Sequence, residues 1–414
     1  MITVKPFAAM MPTEEYVKEC AALPYDVMSS DEARAETVGK PYSFLHIDKA
    51  EIDLDRSVDL YDDKVYLKAA ENLKNFEERG VYYTDSKKRF YFYRQIMDGR
   101  AQTGVVGCAA IDDYLENRIK KHELTRADKE LDRIRHVDTC SAQTGPIFLA
   151  YRQSDDLDEI IARETAKAPL YDFVSDDGIR HTVWASDDNA TDEKIERAFL
   201  ALDALYIADG HHRTASAVKA GSKRREENPR YTGDEEFNFF LSVIFPAKQL
   251  KIFDYNRLLL GLNGLSESAF LTAVEEKLGK VELQTHDTPY RPRSVHEIGL
   301  YLGKKWYSVR FYDEICNAKK AADRLDCAIL QDRLLAPVLG IADPRTDKRI
   351  DFVGGIRGLA YLEARCAQDA TAAIVMHPTS MEELMAVADA GEIMPPKSTW
   401  FEPKLRSGIF IHKI

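Results

Sequence analysis

No apolar run in this 414-residue chain approaches the roughly 20 residues that a bilayer span requires, although hydrophobic residues make up 45% of it. The first stretch, MITVKPFAAMMPTEEY, has no long apolar core and runs straight into acidic residues, which argues against a secretory signal peptide. A cytoplasmic protein without membrane partners is expected. Close cysteine pairs are also missing: Cys20, Cys108, Cys140, Cys316, Cys327 and Cys366 are scattered, so neither a zinc knuckle nor a redox dithiol is indicated and free thiols are expected. Positive charge is in deficit, with a formal net charge of −12, which disfavours a sequence-independent grip on nucleic acid. There is no Walker A loop, no Gly-rich dinucleotide fingerprint after the first strand and no Gly-x-Ser-x-Gly elbow. The standard ATPase, Rossmann dehydrogenase and α/β-hydrolase readings lose their signatures with them. Internal repeats, low-complexity segments and Gly/Ser linkers are absent too, so the length predicts two or three packed units with soft borders.

What is present is an alternation of strand and helix patterns. Through the middle, PIFLAY, RHTVWAS, ALYIAD and FNFFLSVIFP read as strands, and DLDEIIARETAKA and HRTASAVKA as helices. A further helix is expected from Thr191, with Ile195, Ala198, Phe199 and Leu202 on one apolar face. Earlier, DDKVYLKAAENLKNFEERG reads as a helix ending at Gly80, and VYYTDSKKRFYFYRQI as a hairpin of two aromatic runs around a polar turn. Later, GLYLGKKWYSVRFY suggests a hairpin, LDCAILQDRLLAPVLG a helix, and AAIVMHP and SMEELMAVADAG a strand and a helix, the last with Ser380 and Glu383 as a capping box. The pattern predicts a mixed α/β (α+β) protein. Its expected parts are an N-terminal α/β region over 1–100, a core over 101–250, and a C-terminal α/β region over 251–414 containing MPPKSTWFEPK, whose apolar end packs.

The densest chemistry lies in ALYIADGHHRTASAVKA. Gly210 falls at the strand-to-helix turn, where a missing side chain lets another group approach the backbone. The first turn of the following helix offers unpaired N–H donors and the positive end of a dipole, and Arg213 adds a planar fork matched to phosphate oxygens. His211 and His212 are suited to hydrogen-bond the same oxygens or to shuttle a proton, and Asp209 to hold Mg²⁺, orient a histidine or take a proton. The plain alternative is that Asp209 caps the helix and the histidines are solvated. A shared zinc is disfavoured, because neighbours on a helix point about 100° apart.

Three other places carry candidate residues. His122 and Glu123 stand in NRIKKHELTRADKELDRIRH, where Thr125 is a possible helix cap and a solvated charged helix the plain alternative. Asp26 in LPYDV suits a turn, a substrate amine or a metal. Lys397, Ser398, Thr399 and Lys404 form a hydroxyl-and-lysine set suited to phosphate, with a proline-stiffened turn as the alternative. Gly354, Gly355 and Gly358 in DFVGGIRGLAYLE read as a turn before a helix.

Taken together, LPYDVMS, IKKHELT, LYIADGHHRTASA and MPPKSTWFEPKLRSG resemble the bacterial and archaeal family catalogued as domain of unknown function 1015, over essentially the whole chain. More remotely, His122-Glu123 followed by the Asp-Gly-His-His-Arg turn is similar to the ParB/sulfiredoxin-like core, here carrying N- and C-terminal extensions. Some members of that superfamily are free-serine kinases. The resemblance implies a nucleotide-dependent phosphotransferase acting on a small hydroxyl metabolite such as free serine, using ATP or ADP with Mg²⁺. It further implies Glu123 as general base with Asp209 and His212 in the chemistry, Gly210, His211, His212 and Arg213 as the phosphate cradle, and Asp209 as the metal ligand. Asp26, His122, Lys397 and Thr399 would then face the substrate. A non-catalytic nucleotide-binding regulator related to ParB is the other function the resemblance allows.

Overall fold

A computed structural model describes residues 1–284 and 288–414. The chain forms two compact units: Met1–Leu250 together with Pro403–Ile414, and Lys251–Glu402.

The first unit is organised around a nine-stranded mixed sheet. In chain order its strands are β1 (Val4–Lys5), β2 (Tyr91–Met97), β3 (Arg100–Ala110), β4 (Ile119–Lys120), β5 (Ile147–Tyr151), β6 (Tyr171–Val174), β7 (Arg180–Ala185), β8 (Leu205–Asp209) and β9 (Phe239–Pro246). They lie side by side as β4-β8-β5-β9-β3-β2-β7-β6, with β1 pairing with β3. Its longer helices are α1 (Asp63–Glu78), α2 (Ala127–Cys140), α3 (Asp155–Glu164), α4 (Asn189–Leu200) and α5 (His211–Glu227). Central strands β5 and β9 are buried at every residue, which is why they read as continuous apolar runs rather than alternating ones. Their side chains share a core with Ile160 and Ile161 of α3, Ile195 and Phe199 of α4, and Ala217 and Val218 of α5.

Local signals explain most helix ends. The Asp188 carboxylate accepts from the Thr191 N–H at 2.7 Å, so α4 begins at Asn189, two residues before the expected start. Gly80 takes a φ of 72° just past α1, the left-handed stop that a glycine supplies. The expected VYYTDSKKRFYFYRQI hairpin does not form. Tyr82–Thr84 pairs instead with Met10–Pro12, while β2 pairs with β3 and β7. Tyr91, Phe92 and Tyr93 are all fully buried, so β2 needs long neighbours on both sides, and a three-residue partner would leave it uncovered. Residue 100 falls in the tight β2–β3 hairpin, whose turn is Asp98-Gly99 with φ values of 51° and 77°. At the far end, Ile409, Phe410 and Ile411 are fully buried, and His412–Lys413 pairs with Ala142–Gln143.

The second unit holds a six-stranded antiparallel sheet. Its strands are β10 (Tyr255–Leu259), β11 (Gly279–Leu283), β12 (Glu297–Leu302), β13 (Lys305–Phe311), β14 (Ile350–Gly354) and β15 (Ala372–Met376), in the order β11-β13-β12-β15-β10-β14. Helices α6 (Glu267–Lys277), α7 (Leu359–Gln368) and α8 (Met381–Asp389) accompany it. The β12–β13 hairpin turns on Gly303-Lys304, both left-handed, and Ser380 with Glu383 closes a capping box on α8. Leu325 precedes only a short helix, Asp326–Leu330, which widens into a π-helical turn over Gln331–Leu335. All six cysteines are free, and among the described residues no helix is long and apolar enough to cross a membrane.

One close approach fixes how α5 sits. A Cβ added at Gly221 would lie 2.3 Å from the Phe237 carbonyl oxygen, a backbone atom that cannot swing aside. Alanine is the better helix former by about 1 kcal/mol, but this overlap outweighs it. Gly221→Ala is therefore expected to lower stability by about 1–3 kcal/mol in urea unfolding; an unchanged or raised midpoint would show that α5 can move away at no cost.

Candidate functional site

Strand direction gathers the candidate residues of the first unit. β4 lies parallel to β8, with Ile119 opposite Leu205 and Lys120 opposite Tyr206, so the chain leaves both strands at the same edge. His122 and Glu123 follow β4, and Gly210 and His211 follow β8. Strand β5 runs antiparallel to β8 with Phe148 opposite Asp209, so the segment entering β5 starts at that edge as well.

At the turn itself Gly210 has a φ of 93°, and a Cβ there would stand 3.1 Å from Arg213 Nε, so both conformation and space call for glycine. Gly210 occupies the cap position of α5, and no side chain caps the helix. Asp209 is thus not a helix cap. One of its oxygens, Oδ2, faces two cations, Arg213 Nη2 at 3.3 Å and Lys404 Nζ at 3.6 Å. Burial alone would raise the Asp209 pKa, but Lys404, Arg213 and His211 outweigh it and hold the carboxyl at about 2. Arg213 also donates from Nη1 to the Pro146 carbonyl at 2.7 Å, while its Nε is buried without a partner.

The two histidines differ. His211 is 7% exposed, with its ring edge-on to that of His122 at 4.5 Å and its Nδ1 3.8 Å from Glu123 Oε2. The His122 backbone N–H points at His211 Nε2 at 3.5 Å, which assigns the ring proton to Nδ1, on the side of Glu123. His212 is half-buried, its Nδ1 without a partner, and its pKa is lowered by burial against the pull of Asp26 and Glu130. His122 is 1% exposed with neither ring nitrogen bonded, and burial with the nearby His211 holds it neutral. Asp26, in the short helical turn Tyr25–Val27, lies close enough for its charge to favour the protonated forms of both His212 and Arg213. Glu123, His122, Asp209, Gly210, His211, His212, Arg213 and Asp26 are therefore neighbours. Lys397 and Thr399 belong to the second unit.

The stretch after β4 is not a solvated helix. Helix α2 begins at Ala127 with Arg126 at the cap position; Thr125 does not cap it but donates its hydroxyl to Glu130. Glu130, Asp132 and His136 of α2 are buried. Arg133 lies over the Tyr25 ring at 4.1 Å and donates to Asp132 at 2.9 Å, and Thr144 donates to Asp48 at 2.7 Å. Tyr25, Asp48, Arg133, His136, Thr144 and Arg213 line a cavity against α5 that sequence reasoning missed. The available signal was the spacing of Asp132, Arg133 and His136, which puts polar groups on adjoining faces of one helix.

Among the described residues, no group of three or more His, Cys, Asp or Glu side chains converges on a metal position. Asp209 has cations, not further oxygens, around it. The donor set suits an anion better: first-turn N–H groups with no capping side chain, plus unpartnered polar atoms on Arg213 and His212.

Residues 4–328 match the family described as protein of unknown function DUF1015, and the chain belongs to that family. A search of curated proteins gave no match. Among solved structures, the chain is distantly similar to a free serine kinase in complex with AMP, at 15% identity and a TM-score of 0.37, covering 70% of this chain and 85% of that one. It is similar at the same distance to SbnI with C-terminal truncation from Staphylococcus aureus, at 11% identity and a TM-score of 0.38, covering 73% and 85%. A conserved hypothetical protein from Pyrococcus furiosus matches at 16% identity and a TM-score of 0.37, covering 73% and 93%.

The histidine at the centre of the site carries a pH signature. Burial first, with His212 and Lys121 adding to it and Asp209 opposing, lowers the His211 pKa from 6.5 to about 4. Between those values the unfolded chain binds a proton that the folded chain refuses, so stability falls as the pH drops from 6.5 to 4 and the loss stops below that. His211→Gln is expected to remove up to roughly 3 kcal/mol of this acid destabilisation, measured as urea midpoints from neutral to acid pH. Equal pH slopes in variant and wild type would contradict it.

Proposed function

We propose that the first unit is a nucleotide-dependent phosphotransferase acting on a small hydroxyl metabolite such as free serine, on a ParB/sulfiredoxin-like core. The observation that carries this reading is the pairing of an uncapped helix N-terminus, bearing unpartnered buried nitrogens on Arg213 and His212, with a carboxylate 3.8 Å from His211. A phosphate cradle and a proton acceptor then share one edge of the sheet.

In this reading the nucleotide, ATP or ADP, lays its terminal phosphate on the first turn of α5. Glu123 takes the proton of the acceptor hydroxyl, the hydroxyl oxygen forms the new bond to phosphorus, and the bridging bond breaks with its electron pair leaving on the nucleotide. Neutral His211, with its proton on Nδ1, orients the Glu123 carboxylate. Asp209 holds Arg213 and Lys404 in place, and these two cations meet the charge on the transferring group. The donors do not fit a protein-held Mg²⁺ at Asp209, whose Oδ2 already faces two cations. Asp26 and the unbonded ring of His122 would meet the acceptor; an ammonium group suits Asp26.

Two measurements on purified protein test the reading. Arg213→Ala is expected to weaken nucleotide binding about tenfold or more by calorimetry, since a charged hydrogen bond contributes about 1.5–3 kcal/mol; Arg213→Lys serves if the alanine variant does not fold. Glu123→Gln is expected to keep nucleotide affinity and lower phosphate transfer to a hydroxyl metabolite by roughly 10²–10⁴. Tight nucleotide binding with no transfer to any member of a broad hydroxyl panel would sink the enzyme reading and leave a nucleotide-binding regulator.

A further inference from the structure

The first unit has a second cavity, of about 660 Å³, and none of its lining residues belongs to the site described above. Small-molecule sites span roughly 300–1,000 Å³, so there is room for a ligand. The cavity lies where the β6–β7 turn, with Ser175, Asp176 and Asp177, meets the N-terminal segment and Arg406 of the C-terminal segment. Its inner and outer linings differ in charge. Ala22, Ser43 and Arg406 are buried, whereas Glu15, Lys18, Glu36 and Asp176 are exposed.

The protein uses little of the hydrogen-bonding capacity of Arg406, although that residue is only 4% exposed. Its Nη2 donates to Ser175 Oγ at 3.3 Å and to Asp177; its Nε is buried without a partner, and Nη1 has none among the described residues. A buried chain fixes the group. The Tyr93 hydroxyl lies 2.7 Å from His181 Nδ1, and His181 Nε2 lies 3.0 Å from Ser175 Oγ, with Tyr93 and His181 both fully buried. Burial holds the His181 pKa at about 3, so this chain sets geometry without adding charge. The one carboxylate on the guanidinium, Asp177, has a side chain 41% exposed, and water screens it. A guanidinium held from behind with donors to spare is preorganised for oxygens from outside.

The outer lining has the opposite surplus. Lys18 and Lys40 face Asp176 at 3.6 and 3.0 Å, and Lys40 also meets Glu36 at 2.7 Å. With Glu15 and Glu19, four carboxylates stand against two ammonium groups. Leu23, Met28 and Leu45 supply an apolar wall. Strand β6, which among the described residues pairs only with β7, ends at Val174 directly before Ser175. An outermost strand offers backbone N–H and C=O groups to a second extended chain. A ligand that answers all of this has an anionic end, a cationic end and an apolar body. A single amino acid carries both charges on one carbon, whereas a short peptide separates them by up to roughly 3.5 Å per residue.

We propose that this cavity binds a short apolar peptide with free ends, its C-terminal carboxylate on Arg406 and its N-terminal ammonium among the outer carboxylates. The site shares no residue with the proposed phosphotransferase, so each reading can fail alone.

The test titrates the tripeptide Leu-Ala-Leu into the full chain by calorimetry, beside its C-terminal amide, its N-acetyl form and free leucine. Amidation is expected to weaken binding about tenfold, since a charge-assisted hydrogen bond is lost. Acetylation is expected to weaken it a few-fold, and free leucine to bind at least about tenfold more weakly than the tripeptide. Arg406→Gln is expected to bind acid and amide equally. Asp177→Asn, at an exposed position, serves if that variant does not fold: with the Arg406 charge released, it is expected to bind the free acid about threefold tighter or more and the amide no better. Arg213→Ala is expected to bind the tripeptide as the wild type does. No binding of Leu-Ala-Leu at millimolar concentration, equal binding of acid and amide or of tripeptide and leucine by the wild type, no gain in Asp177→Asn, or loss of binding in Arg213→Ala overturns the proposal.

Discussion

The Asp209 carboxylate is the point on which the first unit's candidate site depends. It ends a buried strand, precedes the left-handed glycine that starts α5, and faces both Arg213 from the helix and Lys404 from the C-terminal segment. The strand-to-helix turn and the C-terminal segment, far apart in the chain, are thereby held by one anion. The same charge explains why Arg213 can be only 9% exposed: its guanidinium has a carboxylate and a carbonyl to bond, and it still keeps Nε unoccupied. An ion pair this sheltered adds less to stability than its geometry suggests, because both charges must leave water. Its effect is positional.

Around this pair the histidines behave as neutral rings. His122 and His211 are buried edge to face, and burial depresses the basicity of both, so at neutral pH neither carries charge. In the proposed reading, attraction of phosphate at this edge falls to the helix N-terminus and the two cations, while the histidines contribute directed N–H groups. The cavity lined by Tyr25, Asp48, Arg133 and Thr144 extends the same logic behind α5, where Arg133 donates to Asp132 and Thr144 to Asp48.

Much of the local structure was legible in the chain itself. PIFLAY and FNFFLSVIFP are strands because continuous apolar runs suit only a sheet covered on both faces. The capping box at Ser380 and the Gly-Lys turn of the β12–β13 hairpin follow from side chains within three residues of the feature they set. The Asp-Gly-His-His-Arg turn was visible for the same reason: strand, glycine and helix are consecutive.

Pairing over distance was not legible. The aromatic run Tyr91–Tyr93 looks like half of a hairpin until the burial of all three rings demands β3 and β7 as neighbours. Nothing near Glu123 announces that it stands beside His211, because that follows from the parallel register of β4 and β8, a long-range choice made by the whole sheet. Polar residues of α2 read as solvated until Tyr25, Asp48 and Arg213 close over them. Most elements, several of their ends and the residue types at the turn are legible along the chain, since these depend on sequence neighbours. Which carboxylate meets which cation and which histidines are neutral follow only from the packed fold, because charge and burial act through space between residues that lie as far apart in the chain as Asp209 and Lys404.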